Sequence, residues 1–323
     1  MKNIAIVAGG YSSEFEVSLR SAEGLYSFIN KERYNLYIVL IRKGSWTVKM
    51  PDGSVLDIDK NDFSFIQCDG KKIKFDYAYI TIHGCPGEDG RIQGYFDMLD
   101  IPYSSCGVLA GALTFNKFVN NQFLKSRGIR VSDSLCLTKG QTIETEHIIG
   151  QLGLPVFVKP NDGGSSFGIS KVKETKQMQS AIDKAFTEGN EVIIERFVKG
   201  TEVTCGCYKT KSKQVVFPVT EVVTENEFFD YNAKYNGEVQ EITPARISAE
   251  LTEAIQQETL KIYDIIGARG FIRIDYIIPD DNYPVLLEVN TNPGMTSTSF
   301  IPQQIHAAGL DIKDVMTDII ENL

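Results

Sequence analysis

Three apolar runs of strand length, IAIVA (4–8), YNLYIVLI (34–41) and FDYAYITIH (75–83), constrain the first third of this chain more than any other feature. The first two are separated by a stretch in which Val17, Leu25, Phe28 and Ile29 recur at helical spacing. GRIQGYFDML (90–99) reads as a helix after the third. Alternation of this kind builds an open sheet of parallel strands joined by helical crossovers. Such sheets bind ligands beyond the carboxyl ends of their strands. Two polar, glycine-bearing clusters lie at such ends, 9–16 and 83–90. A polar ribbon around MPDGSVLDI carries Asp52-Gly53, a hairpin signal.

The remainder reads as α+β. A helix is expected over 108–126 and strands over 154–160, 191–198, 201–208 and 214–223. ISKV (169–172) adds a short strand, and a helix fits 175–187. Residues 224–247 show no period; so long an irregular stretch in a compact domain is usually a functional loop or disorder. Ser248 precedes a helical run to 267 as its N-cap, with Glu250 and Glu253 in the first turns. FIRIDYIIP (271–279) and VLLEVN (285–290) then read as an antiparallel pair turning at Pro279, Asp280, Asp281 and Asn282.

A length of 323 residues implies two or three domains. Against 33 Lys and Arg stand 42 Asp and Glu, a balance that argues against nucleic acid or an anionic membrane as the main partner. No apolar run reaches the roughly 18 residues of a membrane span, and the N-terminal run is too short for a signal-peptide core. The six cysteines (68, 85, 106, 136, 205 and 207) form no CxxC, which fits free thiols in the cytoplasm. Cys205 and Cys207 share a strand face and read as core.

Four constellations carry potential chemistry. In the strand pair, period two puts Glu288 and Asn290 on one face, and Arg273 and Asp275 on one face of the preceding strand. Such hard oxygen ligands suit Mg²⁺, which takes few protein ligands and completes its shell with water and phosphate. A solvated face with cross-strand ion pairs is the alternative. In VKPNDGGSSFGISKV, Gly163, Gly164 and Gly168 permit a tight loop. Its N–H groups, Ser165, Ser166 and the preceding Lys159 could hold a phosphate. It is not a Walker loop, because no Gly-Lys-Ser/Thr closes it, and a plain glycine hairpin would explain it too. In HGCPGEDGRIQG, helix capping accounts for Glu88 and Asp89 but not for His83. In GGYSSEFEVS, Glu14 and Glu16 suit an amine better than a phosphate. Together these are the parts needed to move phosphate from Mg·ATP onto a small zwitterion.

The segments GGYSSEFEVS, HGCPGEDGRIQG, IPY, KPNDGGSSFGISKV, DYNAKY, FIRIDY and LLEVNTNPGMTSTSFIP run in the order found in D-alanine–D-alanine ligases of the ATP-grasp superfamily. The chain resembles that family from residue 4 to about 310. The resemblance implies an ATP-grasp fold behind a Rossmann-like substrate domain at 1–105, with a central subdomain at 106–195 and a C-terminal one at 196–323. It implies that one D-alanine carboxylate attacks the γ-phosphate of ATP and that a second D-alanine amine attacks the acyl phosphate, for peptidoglycan synthesis. Asp275, Glu288 and Asn290 would hold two Mg²⁺, or Mn²⁺ in their place, with Glu288 bridging. Lys117, Lys159, Ser166 and Lys234 would contact phosphates. Glu195 would bind adenine, with Phe197 and Val198 beside it, and Glu202 the ribose. Arg273 and the Gly294 N–H would stabilise the oxyanion. Glu14 would hold the first ammonium, linked to Ser165 and Tyr235, with His83 near the same subsite. Ser299 would receive the second carboxylate. A homodimer is implied as well.

The chain departs from the family pattern at Asn116, where Asp is usual, at Asn121, where Lys is common, and at Gly111, where Ser is frequent. Cys85 beside His83 suggests sensitivity to thiol reagents. D-Alanyl-D-lactate and D-alanyl-D-serine ligases are the nearest rival readings, and Tyr235 argues against the lactate branch, which resembles this one with Phe there. A catalytically silent nucleotide-binding regulator is a rival of another class, opposed by the presence of Arg273 and the metal acids.

Overall fold

The computed structural model describes residues 1–142, 144–164, 167–224 and 239–323. Ser165, Ser166, Lys234 and Tyr235, and most of the stretch 224–247 read as irregular, lie outside the described residues.

The strand Lys2–Gly9 is buried without interruption from Ile4 to Ala8, as suits a strand covered on both faces. It pairs in parallel with Tyr34–Arg42 on one side and Tyr77–Ile80 on the other. The expected open sheet is therefore parallel at its centre. Ser45–Lys49 and Val55–Asp57 extend one edge as the antiparallel hairpin that Asp52-Gly53 signalled. The helix Phe15–Phe28 turns Ser18, Ala22 and Leu25 inward. Ser18 fastens it to the sheet: its hydroxyl accepts the Gly9 N–H (2.9 Å) and donates to the Thr81 carbonyl (2.7 Å).

Two antiparallel sheets follow. The smaller orders Ser170–Val172, Val156–Pro160, Glu191–Arg196 and Ser134–Thr138. The larger runs Val239–Ile242, Thr220–Thr224, Thr201–Lys209, Gly270–Ile278 and Val285–Asn290. Cys205 and Cys207 are buried in its core, as read from the sequence. The helices Phe300–Ala307 and Ile312–Asn322 pack on the inner face of the first sheet, so that Ile305, Met316 and Ile319 share one apolar cluster with Ile4, Ile6 and Leu25.

Three expectations about elements need correction. The helix expected over 108–126 is two, Val108–Phe115 and Lys117–Ser126, because Asn116 between them is extended. The strand expected over 214–223 is also two, Gln214–Val216 and Thr220–Thr224. Their pairings with Thr201–Lys209 slip by one residue around Pro218, which has no N–H for a ladder. Val239–Ile242 is a strand inside the stretch read as irregular. Ser248 caps the helix Ala249–Ile265 as expected, accepting the Leu251 N–H at 3.2 Å.

The break at Asn116 also accounts for that departure from the family pattern. Its side-chain oxygen accepts the Val119 N–H (2.9 Å) as an N-cap, and its amide donates to Glu191 (3.3 Å). Aspartate could cap equally well, but it would set a second carboxylate against Glu191. Asn116→Ala is expected to lower stability by about 1 kcal/mol through loss of the cap, read as a lower urea midpoint with unchanged slope.

Candidate active site

The three sheets surround one cleft of ≈ 1280 Å³. Its floor is the strand pair Gly270–Ile278 and Val285–Asn290, where Asp275 lies directly opposite Glu288 and Arg273 opposite Asn290. The convergence expected from period two is therefore realised. Arg273 grips Asp275 with both ends of its fork, at 2.9 and 2.8 Å. Thr204 (2.6 Å) and the Asn290 amide (3.0 Å) donate to the same carboxylate. Burial opposes the Arg273 charge, but Asp275 outweighs it and raises its pKa.

Lys117 reaches over Glu288 (3.1 Å) and also donates to the Gly163 carbonyl of the glycine loop. Burial would lower its pKa, yet Glu288, Glu88 and Glu14 hold it above the ordinary lysine value. Lys159, slightly more buried, pairs with Glu195 at 2.7 Å. The other Glu195 oxygen accepts from Asn121 (3.0 Å), so Asn121 satisfies the carboxylate where a lysine would add a second positive charge. Phe197 and Val198 line the same end of the cleft, and Glu202 stands at the start of the strand Thr201–Lys209. Phe157 packs against Phe197 with ring centroids 5.8 Å apart. Sequence reasoning missed Phe157, although period two along Val156–Pro160 puts it on the face that carries Lys159.

At the other end Glu14 is buried immediately before the helix Phe15–Phe28. Gly164 lies so close that a Cβ there would come within 2.9 Å of both Glu14 carboxylate oxygens. The glycine loop thus abuts the acid expected to hold an amine. His83 is buried with Nε2 3.3 Å from the Ser21 hydroxyl. Gly294 and Ser299 close this end, where a Cβ on Gly294 would meet Ser299 Oγ at 2.9 Å. Ser299 Oγ accepts the Thr296 N–H at 3.0 Å.

Glu88 is a second residue the sequence undervalued. It points into the cleft and accepts the Gly84 N–H (2.7 Å) rather than capping its helix. Burial, reinforced by Glu14, pushes its pKa up to about 8. Gly111 has a tight neighbour: a Cβ would sit 3.1 Å from the Glu88 carbonyl oxygen, so a side chain there would press the helix Val108–Phe115 and that backbone slightly apart. Cys85 departs from expectation. Burial, with Asp89 beside it, raises its pKa to about 11, so it is a neutral thiol near pH 7 and a poor nucleophile toward thiol reagents.

Among the described residues, no three His, Cys, Asp or Glu side chains cluster as a metal cage. Two facing carboxylates and a carboxamide form a sparser set, which fits a hard cation that takes only one or two carboxylates and draws its remaining ligands from substrate phosphates.

Lysines over a paired-strand floor, held between two antiparallel sheets, are the arrangement of an ATP-grasp fold, and comparison confirms the class and narrows it. The D-ala D-ala ligase N-terminus model matches residues 3–106 and the D-ala D-ala ligase C-terminus model residues 123–321. The D-alanine–D-alanine ligase of Parabacteroides distasonis is 67% identical over 321 residues, covering 99% of this chain and 97% of that protein. The VanG D-Ala:D-Ser ligase of Enterococcus faecalis superposes with a TM-score of 0.86 at 32% identity, over 99% of this chain and 98% of that one. The ATP complex of the Bacillus anthracis D-alanine–D-alanine ligase gives 0.78 at 28% identity, over 99% and 96%. The chain belongs to the D-alanine–D-alanine ligase family and is an ATP-dependent ligase.

The raised pKa of Glu88 has a sign that can be checked. Its folded value lies near 8 against an ordinary 4.5. Its contribution to stability is therefore complete below about pH 4.5 and is lost as pH rises through 8. Glu88→Gln, studied without metal or nucleotide, is expected to unfold at higher urea than the parent at pH 8, with the difference vanishing toward pH 4.5.

Proposed function

We propose that this enzyme joins two D-alanine molecules into D-alanyl-D-alanine through an acyl phosphate, for peptidoglycan precursor synthesis, with the division of labour that follows. The facing pair Asp275 and Glu288 beneath Lys117 carries the reading, since a phosphoryl group held there meets both positive charge and metal-ligating oxygen. Lys117 and Lys159 bind the ATP phosphates, joined by Ser166 and Lys234. Glu195, Phe197 and Val198 hold adenine, with Phe157 as a further wall, and Glu202 holds the ribose. Asp275, Glu288 and Asn290 would hold two Mg²⁺, or Mn²⁺ in their place. Cations held there would supply neutralisation of phosphate charge.

Positioning and charge neutralisation carry phosphoryl transfer. Glu14 holds the ammonium of the first D-alanine, with His83 near the same subsite and Ser165 and Tyr235 assigned to it by family resemblance. Its carboxylate is thereby aimed at the γ-phosphate. Arg273 and the Gly294 N–H then stabilise the oxyanion formed when the second amine attacks. Arg273 is already held rigid by Asp275 and stacked 5.2 Å from the Phe300 ring centre, so little reorganisation is needed. Ser299 receives the second carboxylate.

D-Serine as acceptor is the second reading, favoured by the likeness to the VanG ligase. The 67% identity to a D-alanine–D-alanine ligase outweighs it. The division into 1–105, 106–195 and 196–323 belongs to the same proposal, supported by separate apolar clusters in the first sheet and in the four-stranded sheet. A homodimer is proposed too, with Met98, Val108 and Leu109 as exposed apolar surface for it. Six free cysteines support a cytoplasmic location, and no helix among the described residues is long and apolar enough to cross a membrane.

Incubation with ATP, Mg²⁺ and D-alanine, with D-serine in parallel, tests the reading by mass spectrometry of the product. Absence of D-alanyl-D-alanine, or preferential mixed dipeptide when both acceptors are present, overturns it. Glu288→Gln keeps the volume but removes the charge. It is expected to cost roughly 100-fold or more in turnover, the scale of several kcal/mol of lost charge stabilisation, while circular dichroism stays unchanged.

A further inference from the structure

The helix Phe15–Phe28 has a second contact that the reaction, as assigned above, does not use. Ser21 is fully buried on it, and its hydroxyl lies 3.3 Å from His83 Nε2 and accepts the Met295 N–H at 3.4 Å. One turn further along the same face, Gly24 meets the same loop. A Cβ on Gly24 would come within 2.1 Å of the Met295 carbonyl oxygen and 3.3 Å of Thr296 Cα. Ser21 and Gly24 stand three residues apart, so they form one patch, and the patch is shaped to the backbone of 295–296. That loop lies between Gly294 and Ser299.

The hydroxyl of Ser21 also sets the state of His83. It has one proton to give and can accept two. Met295 supplies a donor, which leaves the hydroxyl proton to point at His83 Nε2. With the proton so placed, neutral His83 would carry its own on Nδ1.

We infer that Ser21 and Gly24 are positioning residues for the acceptor half of the reaction. They seat the 293–296 turn, and with it Gly294 and Ser299, at a fixed offset from Glu14 and His83. The inference rests on the assignment of Glu14 to the first D-alanine and of Gly294 and Ser299 to the second. Glu14 stands at the start of the helix, and Ser21 follows seven residues later, about 10 Å along a rigid axis at 1.5 Å per residue. Ser18 locks that axis to the first sheet. One helix then spaces the two subsites: its start faces the activated carboxyl donor, and its middle holds the loop that delivers the attacking amine.

Gly24→Ala and Ser21→Ala test this, with initial rates resolved into separate KM values for the two D-alanines. Alanine favours helix over glycine, so the helix persists in the first variant while the loop must move. Each variant is expected to raise the second D-alanine's KM about tenfold or more, as small misplacements of reacting groups do. For Gly24→Ala, which does not touch His83, the KM values for ATP and for the first D-alanine should stay within about twofold. Nitrogen NMR of the histidines, with His147→Gln and His306→Gln to assign them, reads the second claim. The parent should carry the Nδ1–H tautomer at His83, and Ser21→Ala should shift it toward Nε2–H. Equal changes in both D-alanine KM values, or no change in either, overturn the spacing role. An Nε2–H tautomer in the parent, or an unaltered one in Ser21→Ala, overturns the Ser21 link. A parent that releases no phosphate with D-alanine would instead overturn the functional reading itself.

Discussion

The register between Gly270–Ile278 and Val285–Asn290 is the constraint on which the site depends. Side chains on a strand alternate between faces, so a slip of one residue would turn Glu288 and Asn290 away from the cleft together. The register is fixed from below: Ile272, Ile274, Tyr276, Leu286 and Val289 face the opposite way into a buried core. It is extended sideways by nine aligned pairs with Thr201–Lys209, which bring Thr204 opposite Asp275. An acidic pair that would repel itself in isolation is thus held in place by apolar packing on the far side of the sheet.

Charge is then distributed so that no carboxylate on the floor stands alone. Arg273 answers Asp275, Lys117 answers Glu288, and Lys159 answers Glu195. All three cations are largely buried, where a charge persists only with a partner. The excess acid collects around Glu14 and Glu88, and burial, reinforced by Glu14, raises the pKa of Glu88. On the proposed assignment the cleft is cationic at its phosphate end and acidic at its ammonium end, although the chain as a whole is acidic.

Much of this was legible in the sequence where a single physical signal dominated. Uninterrupted apolar runs gave the central strands of the first sheet, and period two gave the shared face of Asp275 and Glu288. Ser248 announced its helix because an N-cap hydroxyl does one local job. The break at Asn116 was hidden, since the apolar spacing continues across it and only the backbone dihedrals record the interruption. Pro218 was visible, but its effect on register depends on the partner strand. Glu88 was read as a capping acid because its orientation is set by the Gly84 N–H, a backbone group with no trace in side-chain pattern. The nucleotide and substrate roles came from family resemblance, which supplies partners that periodicity cannot.

The four-stranded sheet keeps its apolar residues to itself. Leu137, Ile148, Val158, Ile182 and Ile194 belong to a cluster that shares no member with the other three. The first sheet, by contrast, is welded to the C-terminal helices through Ile4, Leu25, Ile305 and Ile319. In the language of cooperative substructures, the small sheet is expected to act as its own foldon. Its amides are expected to exchange with solvent by a sub-global opening that lifts Lys159 and Glu195 away, while the strands bearing Asp275 and Glu288 remain closed.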